Sequence, residues 1–350
     1  MVLKPHKKNP AILYNLIVKE LYEKGDNIRS IISFADISVG EFYPLLESAK
    51  RLKAKIKSGQ KLHLLDNKVV GLLFEKPSTR TRTSFETATL RLGGSPIYLA
   101  ESELQLKRGE PIKDTARVLG GYLDAIVARV YANDTVEQFS EYSGLPTINA
   151  LSDLEHPTQL VSDMLTIYEA KGRIKGLNIA YIGDGDNVAN SLLLAAATAG
   201  ANATIACPEG YEPNKAIMSK AKMLAKKTGS SLSIVHDPKE AVSGADVLAH
   251  NPREAKSGAD VLYTDVWVSM GEEAEAEKRM KVFKDYQINS KLLGLAKKDA
   301  IVMHCLPAHR GLEITDDVIE GKHSVVWQQA ENKLYGAAAV LDFTMNGKKR

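Results

Sequence analysis

Cysteine is scarce in this sequence of 350 residues, which contains only Cys207 and Cys305. The two cysteines lie far apart and lack the spacing of a metal-binding pair, so the sequence predicts neither a disulfide scaffold nor a metal site. Two reduced thiols are typical of a protein from a reducing compartment. We therefore expect a cytoplasmic protein.

The sequence also lacks a charge excess and a long apolar run. Its 46 basic residues stand against 43 acidic residues, which gives a formal net charge of +3. A nucleic-acid-binding protein has a strongly basic face, and this balance does not support one. The longest run of small and apolar residues, 191–201, is shorter than the roughly 20 residues that a membrane helix needs. We expect neither a nucleic-acid partner nor a membrane partner.

Short β-branched segments alternate with segments of helical periodicity along most of the chain. Continuous apolar strands that alternate with helices predict parallel sheets covered on both faces. At roughly 150 residues per domain, we expect a two-domain α/β protein in which each domain is a parallel sheet flanked by helices, with helices joining the domains. The predicted strands are 69–74, 125–130, 179–182, 203–206, 232–235, 261–268, 300–304 and 324–327. The predicted helices include 84–92, 112–122, 157–170, 187–199 and 215–227.

The clearest change of pattern lies near residues 150–156, and we place the domain boundary there. Residues 1–155 form the first predicted domain, and residues 156–329 form the second. The last helical pattern, within 330–350, is expected to dock back on the first domain. Parallel sheets bind ligands at the carboxyl ends of their strands, so the functional residues should lie in the loops that follow those strands.

One segment occurs twice. Residues 237–248 are nearly repeated fourteen positions later as residues 251–262. Two copies are too few for a solenoid, which stacks at least three units. We expect the second copy to supply the strand that leads into Asp265. The first copy should form surface structure, so that a deletion of residues 237–250 preserves the fold.

A candidate anion site follows the first predicted strand. The chain turns at Pro77 and enters a helix through four residues, Ser78, Thr79, Arg80 and Thr81. The hydroxyls lie beside the unpaired N–H groups of a helix start, the helix dipole favours an anion, and the Arg80 guanidinium matches phosphate oxygens. Arginines at the positive end of a helix are unfavourable unless an anion compensates them. The segment therefore indicates a phosphate site rather than a simple helix cap.

Three further motifs contain reactive side chains. His156 and Gln159 are three residues apart at a helix start, where they can offer donors to a carbonyl oxygen. Asp265 ends a predicted strand, and a carboxylate there can bind a substrate ammonium group. Cys305 ends the next predicted strand. Taken singly, each has a structural alternative: a structural histidine, a solvated carboxylate and an inert buried thiol.

A glycine-containing loop at residues 181–191 partly matches the dinucleotide-binding fingerprint Gly-x-Gly-x-x-Gly. Gly183 and Gly185 fit the first two positions, but Val188 occupies the third. This mismatch disfavours a dehydrogenase, and we expect no cofactor.

Together, these motifs resemble the aspartate/ornithine carbamoyltransferase family, and within it the ornithine branch. The matching segments are Ser78-Thr79-Arg80-Thr81-Arg82, His156-Pro157-Thr158-Gln159, Asp265-Val266-Trp267-Val268-Ser269-Met270-Gly271 and His304-Cys305-Leu306-Pro307, in the family's order within residues 31–345. The resemblance implies transfer of the carbamoyl group of carbamoyl phosphate to the side-chain amine of L-ornithine. The products are L-citrulline and phosphate, in arginine metabolism. It also implies a homotrimer, or a multiple of trimers, with active sites between subunits.

The resemblance also implies roles for individual residues. Those implied to bind carbamoyl phosphate are Ser78, Thr79, Arg80, Thr81, Gln105, Arg129, His156, Gln159, Cys305, Leu306 and Lys333. Those implied to bind ornithine are Asn187, Asp265, Ser269 and Met270. The implied catalytic set is Arg80, Arg129, His156, Asp265 and Cys305. Gln105 would reach into the site of a neighbouring subunit. No residue is identified as the base for the attacking amine, and the leaving phosphate is a candidate.

One position departs from the family. Where the family has Glu-Asn-Arg near the C-terminus, this chain has Glu331-Asn332-Lys333. Lysine keeps the positive charge but loses the planar fork that makes two parallel hydrogen bonds. Either Lys333 contacts the carbamoyl group as a point charge, or it is solvated and the contact is made elsewhere. We favour the first interpretation.

Two other functions remain open from the sequence. A carbamoyltransferase for a different amine would differ at the Ser269-Met270-Gly271 loop. A module that binds an anion without catalysis would keep the fold, but the presence of Arg80 and His156 speaks against it.

Overall fold

The computed structural model describes residues 28–244, 258–268 and 273–347. Nine parallel strands in this part of the chain form two sheets. The first sheet has the order β2-β1-β3-β4. Its strands are β1 (Val69–Phe74), β2 (Ser95–Ala100), β3 (Ala125–Arg129) and β4 (Thr147–Leu151). Its sequence-adjacent helices are α1 (Val39–Lys57), α2 (Thr79–Arg91), α3 (Ile112–Gly120) and α4 (Asn133–Ser143).

The second sheet has the order β7-β6-β5-β8-β9. Its strands are β5 (Asn178–Ile182), β6 (Asn202–Ala206), β7 (Leu232–Val235), β8 (Val261–Thr264) and β9 (Ile301–His304). The later helices are α5 (Pro157–Lys171), α6 (Asn187–Ala199), α7 (Lys215–Thr228), α8 (Pro238–Ser243), α9 (Ala276–Val282), α10 (Ser290–Leu293), α11 (Asp316–Ile319) and α12 (Val326–Met345). The predicted α/β fold with two parallel sheets is confirmed.

Burial explains why these segments form parallel sheets. All five residues of β3 and all five of β4 are buried, which is typical of strands covered on both faces. Helix α6 is buried along its whole length and consists largely of alanine and leucine, so it can pack closely between neighbours. Helix α12 packs on α5, α2 and α1, and thus brings the end of the chain against the first helices. Among the described residues, no helix has both the length and the apolarity to cross a bilayer.

Two of the predicted strands are wrong, and β2 and β4 are absent from the predicted set. The strand predicted at 324–327 is absent, because Ser324 makes only an isolated bridge to Val302 and α12 begins at Val326. The β-branched pair Val325-Val326 suggested a strand, but Val326 is buried in the core beside the second sheet as the first residue of the helix. The strand predicted at 261–268 ends at Thr264, which leaves Asp265 in the loop that follows.

Both copies of the repeated segment contribute to the fold. Its second copy supplies β8, as predicted. The first copy is not mere surface structure, because it forms α8, whose Pro238, Ala241 and Val242 are buried. Helix α8 ends at Gly244, and the Val242 carbonyl accepts a hydrogen bond from the Ala259 amide at 2.8 Å. This hydrogen bond thus joins the chain on the two sides of residues 245–257, which lie outside the described residues.

A deletion of residues 245–258 should therefore preserve the fold. It joins Gly244 to Ala259, so that the existing Val242–Ala259 hydrogen bond becomes the i to i+3 bond of a four-residue turn. We expect a thermal unfolding midpoint, measured by circular dichroism, within a few degrees of the parent value.

The matched control is a deletion of residues 237–250, which also removes fourteen residues and leaves an equivalent repeat sequence. It places Lys256 at the position of Val242, which is 0% exposed. A buried ammonium without a partner costs several kcal/mol, so this variant should unfold at a clearly lower temperature. Equal midpoints for the two deletions would show that burial at Val242 does not decide the outcome.

Candidate active site

Most of the predicted site residues meet in one cavity of about 470 Å³, at the carboxyl ends of strands from both sheets. Its lining consists of the loops after β1, β8 and β9, the last residues of β3 and β4, the first turns of α2, α5 and α6, and one residue of α12. This is the position at which open parallel sheets bind ligands. Twelve predicted residues line the cavity: Ser78, Thr79, Arg80, Thr81, Arg129, His156, Gln159, Asn187, Asp265, Cys305, Leu306 and Lys333.

Of the other three predicted residues, the structure describes only Gln105. Gln105 is exposed in a short 3₁₀ helix, Gln105–Arg108, and is not among the lining residues in the described part of the chain. Ser269 and Met270 lie outside the described residues. Lys76 is not among the residues predicted from the sequence, but it lines the cavity, and its ammonium lies 4.3 Å from the ring centroid of Tyr131. Its place between a strand end and Pro77 is the signal that could have found it.

The start of α2 forms the anion-binding end of the cavity. Ser78 is the N-cap residue, and its hydroxyl accepts a hydrogen bond from the Thr81 amide at 3.2 Å. The first turn contains Arg80 and Arg82 but no acidic residue. The helix dipole and the Arg80 guanidinium thus add positive charge at one point. An anion in the cavity would compensate this charge.

Arg129 adds a second guanidinium from the end of β3. Its side chain is buried, and Nη1 donates a long hydrogen bond of 3.5 Å to the Thr81 hydroxyl. Burial, and secondarily the charge of Arg80, lowers the pKa of Arg129 to about 10. Its Nε atom is buried and has no hydrogen-bond partner among the described residues. A buried donor of this kind costs free energy unless a ligand satisfies it.

His156 is held as a neutral imidazole. Burial, followed by the charges of Lys333 and Arg129, lowers its pKa well below the usual value. Its Nε2 atom lies 3.4 Å from the Lys333 ammonium, which can only donate, so Nε2 accepts and Nδ1 carries the proton. The Nδ1 atom is buried and without a hydrogen-bond partner in the described part of the chain. His156 therefore has an unused N–H donor.

Lys333 lies inside the cavity wall and is not solvated. It is 6% exposed, and its ammonium also donates to the side-chain oxygen of Gln159. The solvated interpretation of Lys333 is therefore wrong. Its burial and the nearby charge of Arg129 lower its pKa to about 8.

The second sheet contributes a carboxylate to the cavity lining. Asp265 follows β8 and is buried, and burial raises its pKa. The Cys305 thiol hydrogen-bonds to this carboxylate, and burial together with the Asp265 charge raises the pKa of Cys305 well above its usual value. Cys305 is thus a neutral thiol rather than a reactive thiolate. Asn187, at the first position of α6, donates to the Ser152 carbonyl at 2.9 Å.

Asp265, His304 and Cys305 also have the composition of a metal-binding cluster, since their ligand atoms lie within 4.8 Å of one another. However, His304 Nδ1 accepts from the Leu306 amide at 2.9 Å, and its Nε2 lies 3.0 Å from the Glu313 carboxylate. Both ring nitrogens are therefore engaged, and the thiol is protonated. The arrangement favours a hydrogen-bonded network over a metal site.

Both halves of the chain match the sequence profiles of one family. The profile of the aspartate/ornithine carbamoyltransferase carbamoyl-P binding domain matches residues 29–169, and that of the Asp/Orn binding domain matches residues 175–251 and 248–344. The chain belongs to the aspartate/ornithine carbamoyltransferase family. The two second-domain matches overlap at residues 248–251, where the first copy of the repeated segment ends and the second begins.

Individual members of the family are also similar over most of the chain. An ornithine carbamoyltransferase from Methanosarcina mazei is 51% identical and covers 89% of this chain and 98% of its own length. One from Hyperthermus butylicus is 50% identical, covering 89% and 96%. The solved structure of the Pyrococcus furiosus ornithine carbamoyltransferase is 48% identical, covers 92% of this chain and 98% of its own, and superposes with a TM-score of 0.84.

Proposed function

We propose that this chain is an ornithine carbamoyltransferase, which converts carbamoyl phosphate and L-ornithine to L-citrulline and phosphate in arginine metabolism. One observation carries the proposal: a single cavity joins an anion site from the first sheet to a buried carboxylate from the second. The relatives of about 50% identity carry this name, and one of about 48% is named as anabolic. Under this proposal, residues 1–155 with the C-terminal segment 330–350 hold carbamoyl phosphate, and residues 156–329 hold ornithine.

The phosphate group binds at the start of α2. Backbone amides and the hydroxyls of Ser78, Thr79 and Thr81 contact its oxygens, and the Arg80 guanidinium neutralises its charge. The positive charge concentrated there, without an acidic residue in the first turn, supports this assignment.

The carbamoyl group binds next to it. When an amine attacks the carbonyl carbon, negative charge develops on the carbonyl oxygen, and donors fixed in advance stabilise it. Arg129 and the Nδ1–H of His156 are such donors, since each has a buried N–H with no partner in the described part of the chain. Lys333 contributes a point charge, and Gln159 orients it.

Ornithine binds against the second sheet. Asp265 accepts its α-ammonium group, and Asn187 and the loop residues Ser269 and Met270 hold its amino-acid end. The neutral thiol of Cys305 and the Leu306 side chain line the pocket for the attacking amine. That amine must be neutral to attack, and the departing phosphate accepts its proton. Binding both substrates in line contributes much of the remaining rate.

We further propose a cytoplasmic homotrimer, or a multiple of trimers, in which Gln105 completes the site of a neighbouring subunit. Gln105 is exposed and follows β2, the edge strand of the first sheet. Leu90 and Ile97, on α2 and β2, are 63% and 45% exposed, which supports a contact surface at the same edge. Sedimentation equilibrium of the full chain tests the trimer.

The proposed reaction is tested by an assay for the ureido product, with carbamoyl phosphate and a panel of amines. The panel contains ornithine, putrescine, lysine, aspartate and acetylornithine. We expect turnover with ornithine and little with the others. Preference for another amine would assign a different branch of the family, and no turnover with any of them would indicate an anion-binding protein.

Replacement of Lys333 by alanine should weaken the use of carbamoyl phosphate. Loss of a hydrogen bond from a charged group costs about 1.5–3 kcal/mol, so kcat/KM for carbamoyl phosphate should fall roughly 10- to 150-fold. Lys333→Arg should retain or improve activity, because it keeps the charge and restores the planar fork. Unchanged dependence on carbamoyl phosphate in the alanine variant would make Lys333 a bystander.

A further inference from the structure

A buried carboxylate lies behind the cavity, outside the set of residues that line it in the described part of the chain. Asp163 is on α5 and is 0% exposed. Its Oδ1 atom accepts from the side-chain amides of Gln159 and Gln329, both at 2.8 Å. Its Oδ2 atom accepts from the Tyr263 hydroxyl at 2.6 Å. Both carboxylate oxygens are therefore held by fixed donors.

This contact determines which way the Gln159 amide faces. Its NH₂ group donates to Asp163, so its oxygen points away and accepts from the Lys333 ammonium. The reverse orientation would set the amide oxygen against a carboxylate and the NH₂ against an ammonium, and both contacts would be repulsive. The carboxylate thus reaches Lys333 through a relay of two hydrogen bonds.

The charges around Lys333 are mostly positive. Arg129 and Arg80 oppose its charged form, and the His156 ring lies 3.4 Å away. Asp163 favours the charged form, and the neutral Cys305 thiol also lies nearby. These five groups belong to the elements packed around Lys333: β3, α2, α5 and the loop after β9. Burial also disfavours the ammonium, which therefore depends on a nearby negative charge.

We propose that Asp163 is a positioning residue, which touches no substrate but fixes the Gln159 amide and, through it, keeps Lys333 as an oriented ammonium for carbamoyl phosphate. This inference rests on the proposed function, because it assumes that Lys333 acts on that substrate. It also accounts for an ionisable group in the core, where a carboxylate would otherwise be unfavourable. The pKa of Asp163 is raised by burial to about 6, so the group is ionised at neutral pH.

The test is the pH dependence of kcat/KM for carbamoyl phosphate at saturating ornithine. In the parent enzyme, activity should decline as pH rises through the pKa of Lys333, about 8. Asp163→Asn keeps the side-chain shape, since its oxygen can still accept from both glutamines and its NH₂ can donate to Tyr263. Removal of the charge should lower the pKa of Lys333, so that the decline in activity occurs at a pH about one unit lower than in the parent.

Arginine at position 333 provides the matched control, because a guanidinium does not titrate in this range. Lys333→Arg should abolish the alkaline limb, and Asp163→Asn should no longer shift the profile when it is added to Lys333→Arg. A purely structural role for Asp163 would lower activity at all pH values and leave the limb in place in both backgrounds. That result would overturn the proposal.

A second variant covers the case in which Asp163→Asn does not fold. Tyr263→Phe removes one of the hydrogen bonds that lower the pKa of Asp163. The pKa of Asp163 should then rise, and activity on the acid side should decline at a higher pH than in the parent. An unmoved acid limb would overturn the proposal. A parent enzyme that forms no citrulline would instead refute the proposed function, so the two failures are distinguishable.

Discussion

The Arg80→Ala variant should retain its fold but lose most of its turnover. Arg80 is the guanidinium that the start of α2 presents to the cavity, and it has little part in the core. Removal of one donor aimed at developing charge typically costs about a hundred- to a thousandfold in kcat. We expect a loss of at least this size in citrulline formation, with an unchanged thermal unfolding midpoint.

Arg82 provides a control for this variant on the same helix. It is exposed, its guanidinium pairs with Glu86 at 2.9 Å and lies over the Tyr98 ring, and it is not part of the cavity lining in the described residues. Arg82→Ala removes the same charge from the same turn and should change kcat/KM far less. Near-normal turnover in a folded Arg80→Ala protein would contradict the assignment of the anion site.

The Asp265→Asn variant should lose affinity for ornithine and keep its affinity for carbamoyl phosphate. A buried charge that loses its partner costs about 2–5 kcal/mol, so kcat/KM for ornithine should fall roughly thirtyfold to several thousandfold. The asparagine keeps the shape of the side chain, and its effect therefore reports the charge. Steady-state kinetics with each substrate varied in turn measures both affinities.

An exposed carboxylate gives the reference for that experiment. Asp285 is on the surface, so Asp285→Asn should leave both kinetic constants unchanged. Equal weakening for both substrates in Asp265→Asn would indicate a distorted cavity and contradict a specific role in holding ornithine.

The sequence was sufficient to predict seven of the nine described strands and most of the cavity lining, for identifiable reasons. Strands such as β3 are largely apolar segments that can be recognised in the sequence. The residues that follow such strands lie where parallel strands end, and these include Ser78 to Thr81, Asp265 and Cys305. The strand predicted at 324–327 failed because packing of Val326 against the second sheet selected a helix there. Local preference is weak compared with such tertiary packing.

The hydrogen bonds around Asp163, behind the cavity, could not be predicted in the same way. Asp163 is one polar residue on a helix, and its partners Tyr263 and Gln329 lie 100 and 166 residues further along the chain. No local pattern connects them. The tautomer of His156 likewise depends on Lys333, 177 residues away, because it is set by which ring nitrogen faces the ammonium.

The packing of α12 has a consequence for the order in which the protein can mature during synthesis. This helix covers α1, α2 and α5 and carries Lys333, yet it follows every strand of both sheets. All strands of both sheets are therefore synthesised before α12 emerges from the ribosome. Until then, apolar side chains of α1, α2 and α5 remain uncovered. The nascent chain gains its last cavity charge and its protection from aggregation in the same late step.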